Sequence, residues 1–141
     1  MLGGGGVVRL KKAVANLLGL ERVCRVATAG ESGIHVVPVC QVLEGGRIYF
    51  GSGRDAAKVR HLQKDPRIAV VVDLYSEDWE SLKGAMIQGT AKLIRGGPQF
   101  RKIRALLYKK YPQYPAASAI EESDSVIVEV TPVRLSDWGT E

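Results

Sequence analysis

Short β-branched runs broken by tight glycine turns fill the first third of this chain and limit what it can fold into. Residues 22–53, RVCRVATAGESGIHVVPVCQVLEGGRIYFGSG, break at Gly30-Glu31-Ser32-Gly33 and again at Glu44-Gly45-Gly46. Turns this short join antiparallel neighbours, because parallel strands need a crossover of a dozen or more residues. The segment reads as three strands in two hairpins. With Glu31 and Ser32 as the loop residues, Thr28 lies opposite His35, and Cys24 opposite Val39. Cys40 then points to the other face from Cys24, which argues against a disulfide between them. Pro38 lacks the N–H a ladder needs, so its strand belongs at an edge or a bulge.

The remaining periodicity adds helices and three more strands. Residues 8–18 place Leu10, Val14, Leu17 and Leu18 on one helical face. Asp55 is the expected N-cap of a helix from Ala56 to Lys64, with Val59 and Leu62 as its apolar side. Residues 67–75, RIAVVVDLY, read as a strand buried on both faces. Residues 82–94 resume strand character, and Gly84 and Gly89 permit a bulge or a close approach. Pro98 opens a helix with Phe100, Ile103, Leu106 and Leu107 inward. Residues 113–124 form an irregular connection, Ser125 to Val130 a last strand, and Thr131 to Glu141 a tail carrying Trp138. Strands joined mostly by short turns argue against a doubly wound parallel sheet, and six short strands suggest a small antiparallel barrel.

The length of 141 residues fits one domain spanning the chain, with residues 1–7 as a flexible, glycine-rich leader. No apolar run approaches the roughly 20 residues that span a bilayer, and no signal peptide is visible, so no membrane partner and a cytoplasmic setting are expected. Two cysteines and two histidines, at spacings that match no zinc or redox motif, give no metal site. The net charge of +5 permits an anionic ligand. The cations are spread along the chain, and the basic, tyrosine-bearing stretch from Arg101 reads as a packed amphipathic helix, so no nucleic-acid partner is expected.

The chemistry concentrates in residues 47–72, RIYFGSGRDAAKVRHLQKDPRIAVVV. The order is strand, Gly51-Ser52-Gly53-Arg54 turn, short basic helix, Asp-Pro break and strand. Such a turn delivers backbone N–H groups, a hydroxyl and a cation to a helix N-terminus, where partial positive charge suits a phosphate. Lys58 lies in the first helical turns and, with Arg54, can make charge-assisted bonds to a phosphate dianion. The same Gly-Ser-Gly is also an ordinary turn, and basic residues on a short helix are commonly just solvated.

In these segments, together with MIQGTAKLI, the chain resembles the pyridoxamine 5'-phosphate oxidase-like family of FMN-binding split barrels. The stretches DLYSEDWESL, KKYPQY and RLSDWG are similar to a small branch of probable deazaflavin-dependent enzymes. The resemblance implies a mainly β fold with flanking helices, a six-stranded antiparallel split β-barrel, and a homodimer with cofactor sites at its interface. It implies FMN as cofactor, with a deazaflavin coenzyme as the alternative, and oxidoreductase activity on a small-molecule substrate it does not identify. A non-catalytic module holding flavin or haem is the remaining reading.

By this similarity the strand from His35 through Val37, Pro38 and Val39 lies beside the isoalloxazine ring. Ser52, Gly53, Arg54 and Lys58 match the phosphate-holding positions, and Lys83 a region that reaches the cofactor from the second subunit. Trp79 and Trp138 are further candidates for the border of the ring. No catalytic acid or base is assigned; His35 is either a proton donor facing the ring or the surface end of a hairpin. The ending VRLSDWGTE lacks the proline and histidine of authentic pyridoxamine phosphate oxidases, so vitamin B6 oxidation is not expected.

Overall fold

A computed structural model describes residues 6–141. Most of the expected leader lies outside these residues; of it, Gly6 and Val7 are described and are exposed. The elements run α1 (Lys12–Leu20), β1 (Cys24–Gly30), β2 (Gly33–Val39), β3 (Val42–Glu44), β4 (Arg47–Gly53), α2 (Ala57–Lys64), β5 (Arg67–Leu74), β6 (Lys83–Ile94), α3 (Gly97–Lys110), α4 (Tyr114–Ala117) and β7 (Ser125–Trp138), with a 3-10 turn at Trp79–Ser81.

All strand pairings are antiparallel, in a sheet of 7 strands ordered β2-β1-β5-β6-β7-β4-β3. The edge strands β2 and β3 are consecutive, separated by Cys40 and Gln41 alone. Three Cα–Cα steps of about 3.8 Å therefore bring the two edges within about 11 Å of each other. The sheet curls into a barrel whose seam is bridged by the chain and carries no strand pairing: a split barrel.

The count is seven strands, where the sequence suggested six. The middle run divides at Gln41, which is fully buried. Its backbone N–H donates to the Tyr111 hydroxyl at 3.0 Å, and its side-chain amide donates to the Leu18 carbonyl at 2.7 Å. These bonds to α1 and to the end of α3 replace ladder bonds and turn the chain from one edge to the other. The hairpin register is as expected, with Cys24 opposite Val39 and Thr28 opposite His35. Pro38 sits in edge strand β2 in unbroken register, and both cysteines are free.

β5 departs from the expectation of burial on both faces. Ile68, Val70 and Val72 are buried, while Ala69 and Val71 are only half-buried. An antiparallel sheet needs only one face against the core, and the outer face of β5 has no layer packed on it. The expected tail is also overturned: β7 continues to Trp138 and pairs with β6 along its length. The register shifts between Gln88 and Gly89, where Pro132 lies opposite Gly89. A Cβ on Gly89 would fall 2.4 Å from the Thr131 carbonyl oxygen, so only glycine allows the strands to cross this bulge. The irregular connection of residues 113–124 contains the short α4.

Two cores result. The barrel interior holds Val26, Ile48, Phe50, Val70, Ile87 and Val128, with Val14, Leu17 and Leu18 entering from α1 and Val59 and Leu62 from α2. A second core packs Phe100, Ile103 and Leu107 of α3 against Val42, Tyr49 and Ile127. α2 has only 8 residues, too few to be stable alone. Its two buried aliphatic side chains, worth about 1.5–3 kcal/mol each, hold it on the barrel.

Candidate functional site

Gly51, Ser52 and Gly53, expected in the turn, are the last residues of β4, held there by pairing with Ile127, Val126 and Ser125, so the turn into α2 begins at Arg54. Gly53 closes the β4 pairing opposite Ser125, and the Arg54 N–H donates to the Asp124 carbonyl at 2.8 Å. The Arg54 guanidinium also reaches across, donating to the Glu122 carbonyl at 3.2 Å. The Ser52 hydroxyl donates to the neighbouring Gly53 carbonyl at 3.1 Å. The turn is thus pinned to the loop before β7, and Arg54 leans toward that loop.

Asp55 does not cap the helix. The N-cap is Ala56, in extended conformation, with no side-chain cap bond, and no acidic residue occupies the first turn. The Asp55 carbonyl is instead taken by the Arg60 side chain. Among the described residues the backbone N–H groups of Ala57 and Lys58 have no acceptor. Lys58 is half-buried, and burial alone lowers its pKa from 10.5. None of the ion pairs among the described residues includes it. An uncapped helix N-terminus beside a desolvated, unneutralised ammonium is an anion site in physical terms.

Further along α2, His61 turns its ring onto the β1–β2 hairpin. Its Nδ1 is hydrogen-bonded to Thr28 Oγ1 at 2.9 Å, and Thr28 is only 3% exposed. His35, opposite Thr28, stacks edge-on against His61 with ring centroids 5.7 Å apart. His35 is half-buried and faces α2, so it is not simply the surface end of a hairpin. Its Nδ1 is buried without a hydrogen-bond partner. Val37 and Val39 alternate inward with it, while Pro38 is exposed on the outer face. Sequence reasoning passed over His61 and Thr28. Their signals were present: His61 is three residues after Lys58, hence on the same helical face, and Thr28 is the register partner of His35.

Lys83, Trp79 and Trp138 collect elsewhere. Trp138 lies opposite Gly84, where an added Cβ would fall 2.3 Å from its ring. Trp79 is 73% exposed, and its indole N–H donates to the Tyr75 hydroxyl at 3.3 Å. Ser125, opposite Gly53, and Trp138 are the two ends of the 14-residue β7. They are separated by roughly 40 Å of strand. Lys83 and Trp138 thus lie at the opposite end of the β6–β7 pair from the strand end that leads into α2.

The outer face of the sheet carries an open groove of about 670 Å³, lined by Ala27, Ala29, Ile34, Ala69, Gln88 and Arg134 among others. None of Ser52, Arg54 and Lys58 lines it. Ile34 and Val36, 80% and 61% exposed, stand on β2 at its side. No helix of the described residues is long and apolar enough to cross a membrane.

Comparisons with known proteins agree with this architecture. A conserved hypothetical protein from Mycobacterium tuberculosis superposes with a TM-score of 0.80 at 18% identity, over 94% of this chain and 86% of that one. An FAD-binding protein from Mesorhizobium loti superposes with a TM-score of 0.74 at 18% identity, over 97% of each chain. An F420 reductase superposes with a TM-score of 0.72 at 18% identity, over 90% of this chain and 98% of that one. No curated protein matches the chain. The family profile described as pyridoxamine 5'-phosphate oxidase matches residues 10–139, nearly the whole sequence. With the split barrel, this places the chain in the pyridoxamine 5'-phosphate oxidase family.

Proposed function

We propose that the chain is a flavin-dependent oxidoreductase that binds FMN at the interface of a homodimer. The observation that carries this reading is the uncapped start of α2, where, among the described residues, the N–H groups of Ala57 and Lys58 have no acceptor and the half-buried Lys58 has no counter-ion. These groups fit a phosphate monoester: it would accept from the helix N-terminus and neutralise the ammonium. Ser52, Gly53 and Arg54 border the same turn, and His35 and Val37 face inward nearby on β2. When bound, the flavin supplies the redox chemistry. The chain's residues hold its phosphate and shield it from water. The likeness to an FAD-binding protein supports the same class of ligand.

Two features support the dimer. Lys83 and Trp138 stand at the opposite end of the β6–β7 pair from the start of α2, a placement that suits contact with a cofactor held by a second subunit. The exposed apolar residues Ile34 and Val36 beside a groove floored by alanines suit burial against another sheet. An absorbance spectrum and an FMN titration of the purified protein, with sedimentation to read its mass, test the reading. Stoichiometric uptake by a dimer is the expected result; a colourless protein that ignores FMN defeats it.

A deazaflavin coenzyme is the second reading. The likeness to an F420 reductase supports it, as do the DLYSEDW and RLSDWG stretches, because F420 is a deazaflavin. Such a cofactor transfers hydride, which makes the activity reduction of an organic substrate. Competition between FMN and the deazaflavin separates the two readings, and tighter FMN binding sinks the second.

A further inference from the structure

α2 carries Lys58, yet the inner core holds it by two aliphatic side chains only, Val59 and Leu62. Contacts of that kind are not directional, and they leave a short helix free to rock about its axis. The ion pair from Lys64 to Glu31 is solvent-exposed and weak, so the sheltered directional contact comes from a residue that the cofactor reading does not use. The His61 ring bonds Thr28 through Nδ1 at 2.9 Å and lies so close over Gly30 that a Cβ there would fall 2.4 Å from its Nε2 and Cδ2. The His35 ring completes the arrangement, edge-on at 5.7 Å. Besides the exposed Lys64–Glu31 ion pair at 3.7 Å, helix and hairpin thus meet through a half-buried imidazole fitted over a glycine that leaves room for it.

The same packing decides where His35 carries its proton. Its Nδ1 is buried with no partner. A proton there would be a buried donor with no acceptor, whereas a bare lone pair is the better tolerated orphan. The neutral ring is then an Nε2–H donor with a fixed direction.

We propose that His61 is a positioning residue: bonded to Thr28 and seated on Gly30, it locks α2, and so Lys58, onto the β1–β2 hairpin and holds His35 with its proton on Nε2. The consequence for cofactor affinity rests on the flavin reading above; the clamp itself does not.

Two measurements on the whole protein separate those layers. Long-range 1H–15N spectra of the ligand-free protein read the imidazole tautomers directly. The expected result is a single Nε2–H tautomer for His35 in the wild type, giving way to averaged signals in His61→Leu. FMN titration then reads Lys58 placement. His61→Leu weakens binding about tenfold, the scale of one lost hydrogen bond, whereas His61→Asn, which keeps a polar atom where Nδ1 was, stays near wild type. Should His61→Leu fail to fold, Thr28→Val removes the same bond from the strand side and is expected to act alike. A His35 protonated on Nδ1 or averaging in the wild type overturns the proposal. So do His35 signals and FMN affinity that ignore loss of the His61–Thr28 bond. Wild-type protein that takes up no FMN defeats the flavin reading alone, and the tautomer spectra still judge the clamp.

Discussion

Replacing Lys58 by methionine should have opposite effects on the ligand-free and FMN-bound protein. In the free protein burial penalises the ammonium and holds its pKa below 10.5, with no carboxylate to compensate. Methionine keeps the length of the stem and removes the charge, so the free variant should melt at the same temperature as the wild type or higher. In the complex the ammonium donates to a phosphate, and a charge-assisted bond of this kind contributes about 2 kcal/mol. Its loss weakens FMN binding about thirtyfold.

The pH dependence of stability follows the same logic. The folded pKa is lowered, so between it and 10.5 the unfolded chain binds more protons, and stability rises with pH through that window. Lys58→Met should flatten this alkaline rise in the free protein. Titration of FMN by fluorescence quenching, with thermal melts of both forms from neutral to alkaline pH, checks all three points. Unchanged FMN affinity, or a free variant that melts well below the wild type, would refute the reasoning, because either shows that the amine is not held unpaired for an anion.

Other substitutions probe the scaffold. Gly84→Ala drives a Cβ to within 2.3 Å of the Trp138 ring and 3.0 Å of the Val72 carbonyl oxygen. It should destabilise by about 1–3 kcal/mol and shift the Trp138 emission, read by chemical denaturation followed in fluorescence. Tyr111→Phe removes the hydroxyl that accepts from the Gln41 N–H at 3.0 Å and donates to the Arg22 carbonyl at 2.9 Å. Leaving the Gln41 N–H buried and unpaired should cost about 1–3 kcal/mol in a urea melt. The Arg67 guanidinium holds the Asp65 carboxyl down at about 2, below its ordinary 3.8. The stability this contributes is present above 3.8 and lost as pH falls toward 2. In Arg67→Ala an NMR titration of Asp65 should move up toward the ordinary value but stop short of it, because the backbone N–H of residue 67 still donates to the carboxylate.

The hairpins and helices were legible from the chain because both follow from local periodicity and turn chemistry. Glycine turns at Gly30–Gly33 and Glu44–Gly46 dictated antiparallel neighbours, and a side-chain period of two then placed Thr28 across from His35. The apolar spacing of Val14, Leu17 and Leu18, and of Phe100, Ile103 and Leu107, marked the faces that are buried. The sequence of strand, short link and basic helix from Arg47 to Lys64 was legible for the same reason, since its residues are consecutive, although Gly51–Gly53 extend the strand.

What sequence reasoning missed depends on residues far apart in the chain. The split of the middle run at Gln41 comes from bonds to Leu18 and Tyr111. The extension of β7 to Trp138 comes from pairing with β6, since Thr131–Trp138 carries no strand pattern strong enough alone. Asp55 read as a cap on propensity, but the chain reaches α2 through an extended Ala56 and leaves the helix N-terminus open. Local sequence was enough for the two hairpins, the buried faces of α1 and α3 and the strand-to-helix link from Arg47 to Lys64. Only long-range packing decided that the sheet curls with its edge strands joined through Cys40 and Gln41, that His61 reaches Thr28 and Gly30, and that Trp138 pairs opposite Gly84 at the far end of β7 from Ser125. Periodicity reports which face of an element is buried; only the packed barrel determines what that face meets.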